Sequence, residues 1–243
     1  MGSNGGRPRC LHGRQPVTHG PTASPRSDSA SELEESYIAA MSRPAVVSAY
    51  AAWGTISEAE RLCLDLCTHP KPKVLDLGCG AGRLAGHFLD SCELYVGVDA
   101  SKEMVGVASE KFPSLRFFVD DIVTQALPRS SFDVVLLMHN VIDSLHPIER
   151  RVTLLHRCHE WLLDGGVVVI SSHLTREGQK AGYYSEDYHG VSVSNYRSSL
   201  DEFVEEIEAV GYVVDLAVRD YRGNTADWAY LAARSSGVGR SGP

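Results

Sequence analysis

Val74-Leu75-Asp76-Leu77-Gly78-Cys79-Gly80-Ala81-Gly82 is the stretch that decides the architecture. Its first half, from Lys73 to Leu77, is short, apolar and bounded by Pro70 and Pro72, which reads as a buried strand. The small residues after it let the backbone turn sharply and open a helix whose N-terminus can face a ligand. A glycine-rich turn alone is weak evidence. Its partner is Asp99, twenty-one residues after Gly78, at the end of a second apolar run, Leu94–Val98. A carboxylate at that spacing suits a ribose diol, so the pair narrows the ligand to an adenosine-type molecule.

Working outward, three further runs read as strands: Leu115–Val119, Asp133–Met138 and Val167–Ser171. Amphipathic stretches at Arg83–Leu89, Lys102–Phe112 and Ile148–Leu163 separate them, while Thr124–Ser131 is too short and polar for a helix. Strands alternating with helices argue for a parallel sheet covered on both faces. Ser199 and Glu202 have capping-box spacing for a helix to Val210, and Tyr212–Val218 and Trp228–Ala232 alternate as a closing antiparallel hairpin. The expected fold is a Rossmann-like, mostly parallel seven-stranded α/β sheet with an antiparallel C-terminal hairpin and helices on both faces. Upstream, Ser31–Ala52 and Ser57–Leu66 read as helices. The domain layout expected is a disordered arm over 1–30, a domain over 31–234 and a flexible tail over 235–243. Within the domain, 31–69 form a helical cap and 173–197 an inserted substrate loop.

Polar residues gather where these strands end. Asp76 lies in the first, Asp99 ends the second, Asp120 and Asp121 the third, His139 and Asn140 the fourth, and His173 the fifth. In an open α/β sheet, ligands bind outside the carboxyl ends of the strands. Polar residues are common wherever strands give way to loops, which accounts for one or two of these positions but less easily for all five.

With these residues the sequence resembles the class I S-adenosylmethionine-dependent methyltransferases, in the small-molecule-acting form. The matching residues are Val74–Gly82, then Val96-Gly97-Val98-Asp99-Ala100-Ser101-Lys102-Glu103-Met104, then Val119-Asp120-Asp121-Ile122, with Phe132–Val135 and Leu163–Gly166 continuing it. The resemblance runs roughly from Ser31 to Arg234. It implies S-adenosylmethionine as cofactor, with Gly78 and Gly80 passing its methionine part and Asp76 nearby. Asp99 would hold the ribose hydroxyls, Ala100 and Met104 would pack on adenine, and Asp121 with the Ile122 amide would read its edge. The backbone around Met138 would lie near the sulfonium. A nicotinamide cofactor, and with it an NAD-dependent oxidoreductase, needs G-x-G-x-x-G, whereas Leu84 stands at the last glycine position here.

Methyl transfer is an in-line displacement, so most of the work is positioning. An amine or phenol acceptor needs a base, and His139 is the candidate, with Asp143 four residues on to orient it or to bind a cationic acceptor. An equally simple reading makes His139 a strand-end residue bonded to backbone. Tyr37, Tyr50, His173 and Tyr184 are the expected substrate contacts, on two covers converging over the sheet edge. A cofactor-binding module without catalysis is the alternative from another class.

Composition trims the remaining classes. The first thirty residues hold four Arg and one Asp, so the body that follows is more acidic than the net charge of −8 and offers no footprint for nucleic acid. No apolar run approaches the ~20 residues a membrane helix needs. Cysteines at 10, 63, 67, 79, 92 and 158, with no secretion signal, fit a cytoplasmic, reducing compartment. Cys63 and Cys67 lack a second ligand pair, so no metal is expected. The acceptor expected is a small molecule. Nitrogen, oxygen and carbon acceptors, and the oligomeric state, stay open.

Overall fold

Residues 30–188, 190–222 and 225–235 are described by the structure, a computed structural model. Of the expected arm over 1–30 and tail over 235–243, residues 1–29 and 236–243 lie outside them, while Ala30 opens a helix and Ser235 ends a strand. Helix α1 (Ala30–Met41) and α2 (Pro44–Ala52) divide what the periodicity reads as one helix. Pro44 is the reason: it lacks the amide a helix interior needs and forces Arg43 into an extended conformation at ψ 138°. Helix α3 (Glu58–Leu64) starts at a full capping box, with Ser57 and Glu60 bonding each other's backbone amides.

Strands β1 (Lys73–Leu77), β2 (Leu94–Asp99), β3 (Arg116–Val119), β4 (Phe132–Leu137) and β5 (Leu162–Leu174) form the parallel sheet, in the spatial order β3-β2-β1-β4-β5. Short α4 (Ala85–Phe88), α5 (Lys102–Lys111) and α6 (Ile148–Trp161) connect them. Because side chains alternate along a strand, Leu75, Leu77, Val135 and Leu137 enter one core while Val74, Val134, Leu136 and Met138 enter the other. Both faces are therefore buried, as parallel strands require. After α7 (Leu200–Ala209), β8 (Tyr212–Arg222) and β9 (Thr225–Ser235) form the closing antiparallel pair, with β9 lying on β5.

One expectation is corrected. Residues 182–198, read as part of an inserted loop, form an antiparallel hairpin of β6 (Gly182–Tyr188) and β7 (Val191–Ser198). It joins the sheet where His173 and Leu174 of β5 pair with Arg197 and Ser198, so the nine-stranded sheet carries a two-stranded extension beyond the seven expected. The segment is polar because much of it faces solvent, yet its tyrosines and valines suit strands. Val193 of β7 packs with Ala40, Met41, Val46 and Val47 of the first two helices, Ala81 of the glycine turn and Met104 of α5, in a small third core. That core seats α1 and α2 over the carboxyl edge of the sheet. Among the described residues no helix is long and apolar enough to cross a membrane.

Candidate functional site

The glycine turn is built by backbone conformations that disfavour other residues. Gly78 and Gly80 have φ of +67° and +53°, the left-handed region. A Cβ on Gly78 would sit 2.3 Å from Val141 Cγ2, so the site admits no side chain there. The amides of Gly78 and Cys79 both donate to the carbonyl of Val98, tying the turn to the end of β2. Asp99 then closes the turn: its Oδ2 accepts from the Gly80 amide and its Oδ1 from the Ser101 amide, each at 2.8 Å. Burial pushes its carboxyl above the usual range, against the pull of those two amides. Asp76, beneath the turn, is 2% exposed and accepts from the Tyr95 hydroxyl. Burial lifts it to about 7 despite that bond.

A cavity of about 380 Å³ opens above this floor. Gly78, Gly80, Asp99, Ala100, Met104, Asp121 and Ile122 border it, and from the opposite side Tyr37 of α1, Tyr50 of α2 and His139. Asp76, Met138, Asp143, His173 and Tyr184 are not among its lining residues. Met138 is 4% exposed within the core on the α3 side, so its side chain is packing and only its backbone is in reach of the edge. Asp121 Oδ1 accepts from the Val123 amide at 2.7 Å, and its Oδ2 lies 2.8 Å from Arg150 Nη2.

At the end of β4 the chain turns through two consecutive left-handed residues, His139 at φ +54° and Asn140 at +61°. Non-glycine residues there are strained and persist only where the surroundings hold them. The holding groups are visible. The His139 amide donates to Ser171 Oγ at 2.7 Å, and its ring lies between Trp53 and Trp228, with centroids 4.6 and 5.0 Å away. His139 Nε2 is 3.1 Å from Glu60 Oε1, which also accepts from Arg83 Nη2 at 2.5 Å. Burial works to raise the Glu60 carboxyl, but the His139 bond and the Arg83 guanidinium more than offset it and hold it at about 2. The imidazole at the cavity wall is thus backed by a buried anion.

Asp143, expected to orient His139, serves a different histidine. Its Oδ2 accepts from the His173 amide at 2.8 Å and from Nδ1 at 2.9 Å, and its Oδ1 from Ser172 and Arg151. The spacing of four would align 139 with 143 on a helix, but the left-handed turn at 139–140 removes that alignment. Asp143 is fully buried. Burial would raise it, yet the His173 bond, the Arg151 guanidinium and the Ser172 hydroxyl hold it below the usual carboxylate range. Arg151 continues to Glu206 of α7 through two bonds of 3.0 and 2.8 Å, so this network bolts β5, α6 and α7 together. The His173 ring packs 4.0 Å from Trp228. Tyr184 bonds the Lys180 carbonyl just ahead of its own hairpin, whereas Tyr188 reaches across to the Tyr50 hydroxyl at 2.9 Å.

Glu60, Arg83, Glu34 and Arg150 are site residues that sequence reasoning misses. Glu60 has a sufficient local explanation, since its Oε2 completes the capping box while Oε1 reaches the site. Glu34 Oε1 accepts from the His146 amide and lies 2.9 Å from Arg150 Nε, pinning α1 across the cavity mouth. Among the described residues no cluster of His, Cys, Asp or Glu could hold a metal ion.

Residues 74–166 match the family model of methyltransferase domains. The chain is 31% identical over 122 residues to phosphoethanolamine N-methyltransferase 1 of Arabidopsis thaliana, covering 48% of this chain and 24% of that protein. It is 22% identical over 179 residues to the Plasmodium falciparum phosphoethanolamine N-methyltransferase, 71% of this chain and 66% of that one. It thus spans about a quarter of the plant protein's length. Among solved structures, the Burkholderia thailandensis 1,6-didemethyltoxoflavin-N1-methyltransferase with bound S-adenosylhomocysteine superposes with a TM-score of 0.69 at 20% identity, over 90% of this chain and 93% of that one. The [4+2]-cyclase SpnF superposes with a TM-score of 0.63 at 16% identity, over 86% and 97%.

Proposed function

We propose that this chain, whose residues 74–166 match a methyltransferase-domain family model and which carries a mostly parallel α/β sheet, transfers a methyl group from S-adenosylmethionine to nitrogen or oxygen of a small-molecule acceptor. The observation that carries the reading is the join between the left-handed Gly78–Gly80 turn and Asp99, at the floor of a cavity of ligand size. The donor set suits the cofactor. Asp99 has lone pairs left for a diol beyond its two amide bonds, Met104 and Ile122 are apolar walls for a flat base, and Asp121 can take an exocyclic amine once Arg150 yields it. When bound, the cofactor supplies an activated methyl on sulfur.

The chain's own residues do the rest. Tyr37 and Tyr50 close the cavity from above and exclude water. His139, in the cavity wall, takes the acceptor's proton, and Glu60 balances the charge the ring gains. Asp143 and His173 act at one remove, by fixing the end of β5 against the β4 exit. Wild-type protein given methyl-labelled S-adenosylmethionine and a metabolite extract should place label in an acceptor, and Asp99→Ala should not. A second reading has a specific basis, since the fold is shared with a [4+2]-cyclase: a cofactor-binding protein that transfers no methyl. Ligand binding without any labelled product would favour it.

A further inference from the structure

The sheet ends at β3, and that edge is open. Phe118 and Val119 are 52% and 51% exposed, although both belong to the apolar run that makes the strand. The Asp120 amide donates to the Asp99 carbonyl at 3.1 Å, which fixes the alternation along the strand. Arg116, Phe118 and Asp120 therefore turn their backbone groups to β2, and Phe117 and Val119 turn theirs outward. Among the described residues no segment pairs with that outer edge. The sheet's other free edges are blunted: β8 shifts register after Val214 and again after Asp220, and β6 presents Glu186 and Asp187. Bulges and edge charges of that kind keep a strand from pairing with another chain. β3 pairs with β2 without a register shift and holds neither Pro nor Lys.

The side chains on that edge specify what fits it. They alternate along a strand, so Arg116, Phe118 and Asp120 share one face, in the order cation, aromatic ring, anion. Laid antiparallel against itself about Phe118, that order is self-complementary: Phe118 meets Phe118, and Arg116 meets Asp120 twice. The backbone agrees with the same register. Phe118, facing β2, falls in a non-hydrogen-bonded pair, where side chains lie closest. Phe117 and Val119 then exchange both their bonds with Val119 and Phe117 of the partner subunit. Arg116 has no ion-pair partner among the described residues, and Asp120 accepts the neighbouring Asp121 amide. A purely acidic or purely basic partner would match half of that pattern and oppose the other half.

We propose that this chain forms a two-fold dimer in which the β3 strands of two copies pair antiparallel about Phe118, continuing one sheet through both. The contact is isologous, so each Arg116–Asp120 pair is made twice. Because the paired strands run in opposite directions, the two cavities open at opposite ends of the joint sheet. Val119 and Asp120 are wall residues of the cavity, so Arg116 of the partner subunit comes to its rim. The strand is four residues long, which places the interface in the small, reversible class below about 1,200 Å². The dimer stands or falls independently of methyl transfer.

Sedimentation velocity of the full chain, from micromolar to millimolar concentration, should show a reversible monomer–dimer equilibrium. Phe118→Lys sets two ammonium groups face to face, and Arg116→Asp sets a carboxylate against Asp120. Each should raise the dimer's Kd at least tenfold. Arg116→Asp combined with Asp120→Arg reverses the ion pairs and should return Kd to within threefold of wild type. Cross-linking reads the register. Phe118→Cys places two thiols across the two-fold within disulfide reach and should give a covalent dimer under mild oxidation, beyond any that wild type gives. Arg116→Cys should not, since its two copies stand about 13 Å apart along the strands. A wild type that stays monomeric throughout overturns the proposal. So does a dimer that Phe118→Lys and Arg116→Asp leave as tight as wild type, a double variant no tighter than Arg116→Asp, or cross-linking at 116 equal to that at 118. Should Phe118→Lys fail to fold by circular dichroism, the charge variants and the cross-link decide alone.

Discussion

The floor and the roof of the cavity are held by different physics. The floor, from β1 through the glycine turn to Asp99, is a matter of backbone: two left-handed glycines, paired amides on the Val98 carbonyl, and a carboxylate closing the loop within nineteen residues of Gly80. The roof is a matter of side chains far apart in sequence. Glu34 reaches Arg150 and His146, Glu60 reaches Arg83 and His139, and Tyr188 reaches Tyr50 across 138 positions. A floor of that kind offers one geometry to whatever binds. A roof of that kind can reseat by exchanging partners, which suits elements that must admit a ligand and then exclude water.

If that division is right, damage should sort by region. The largest loss of stability is expected in neither floor nor roof but in the bolt behind them. Asp143→Ala removes the buried carboxylate that Ser172, His173 and Arg151 share, leaving the guanidinium with Glu206 as its one charged partner, and should cost roughly 3–5 kcal/mol, read by denaturant unfolding. S-adenosylhomocysteine affinity should change little at temperatures where the variant stays folded; a large loss of affinity would move Asp143 into the site.

Glu60→Gln comes next, because it cuts the roof's charge network. The Glu60 carboxyl is about 2 in the folded chain against an ordinary 4.5, so its folded value is depressed. Its stabilisation is therefore present above pH 4.5 and is lost as pH falls towards 2, with a full value of about 3 kcal/mol. Wild type minus Glu60→Gln should show that difference at pH 7 and shed it on acidification. Asp76 has the opposite sign. Burial raises it to about 7, so the stability tied to its protonated form is present below about 4 and fades as pH rises through 7. Asp76→Asn should thus raise Tm at pH 8 relative to wild type by more than it does at pH 5. An equal effect at both would place a charged Asp76 in the native floor.

The smallest effects are expected on the roof's edge, and they separate two tyrosines. Tyr37→Ala opens the cavity wall and should raise the acceptor's KM or lower kcat with the core intact. Tyr184→Ala, whose hydroxyl bonds the Lys180 carbonyl just ahead of its own hairpin, should change turnover less than twofold. Hydrogen exchange should show α1 and α2 gaining protection when S-adenosylhomocysteine binds. Protection equal to the sheet's in the ligand-free protein would make α1 and α2 ordinary packing.

The same division explains which parts of the molecule are legible in its amino-acid sequence. Val74–Gly82 and Asp99 are legible because strand periodicity, glycine conformation and a carboxylate at fixed spacing are all local properties of the chain. Strands β1 to β5 and the closing β8–β9 pair follow from the same periodicities. His139 is legible as a strand-end residue, but its partner is not: Glu60 lies 79 positions away and already has a local role as a capping residue. Spacing of four implies a shared helix face and so pairs Asp143 with the wrong histidine, because the left-handed pair at 139–140 cannot be read from His-Asn. The β6–β7 hairpin hides because a solvated two-stranded ribbon lacks the apolar run that marks a buried strand.

Whether the Gly78–Asp99 floor holds the adenosyl cofactor is the central question, and isothermal titration with S-adenosylhomocysteine tests it most directly. Wild type should bind with a micromolar Kd. Asp99→Ala should lose about 2–3 kcal/mol, roughly 100-fold in affinity, while its circular dichroism stays that of the folded chain. An absence of heat and of any thermal shift in the wild type, or an Asp99→Ala variant that binds as tightly, would contradict the account.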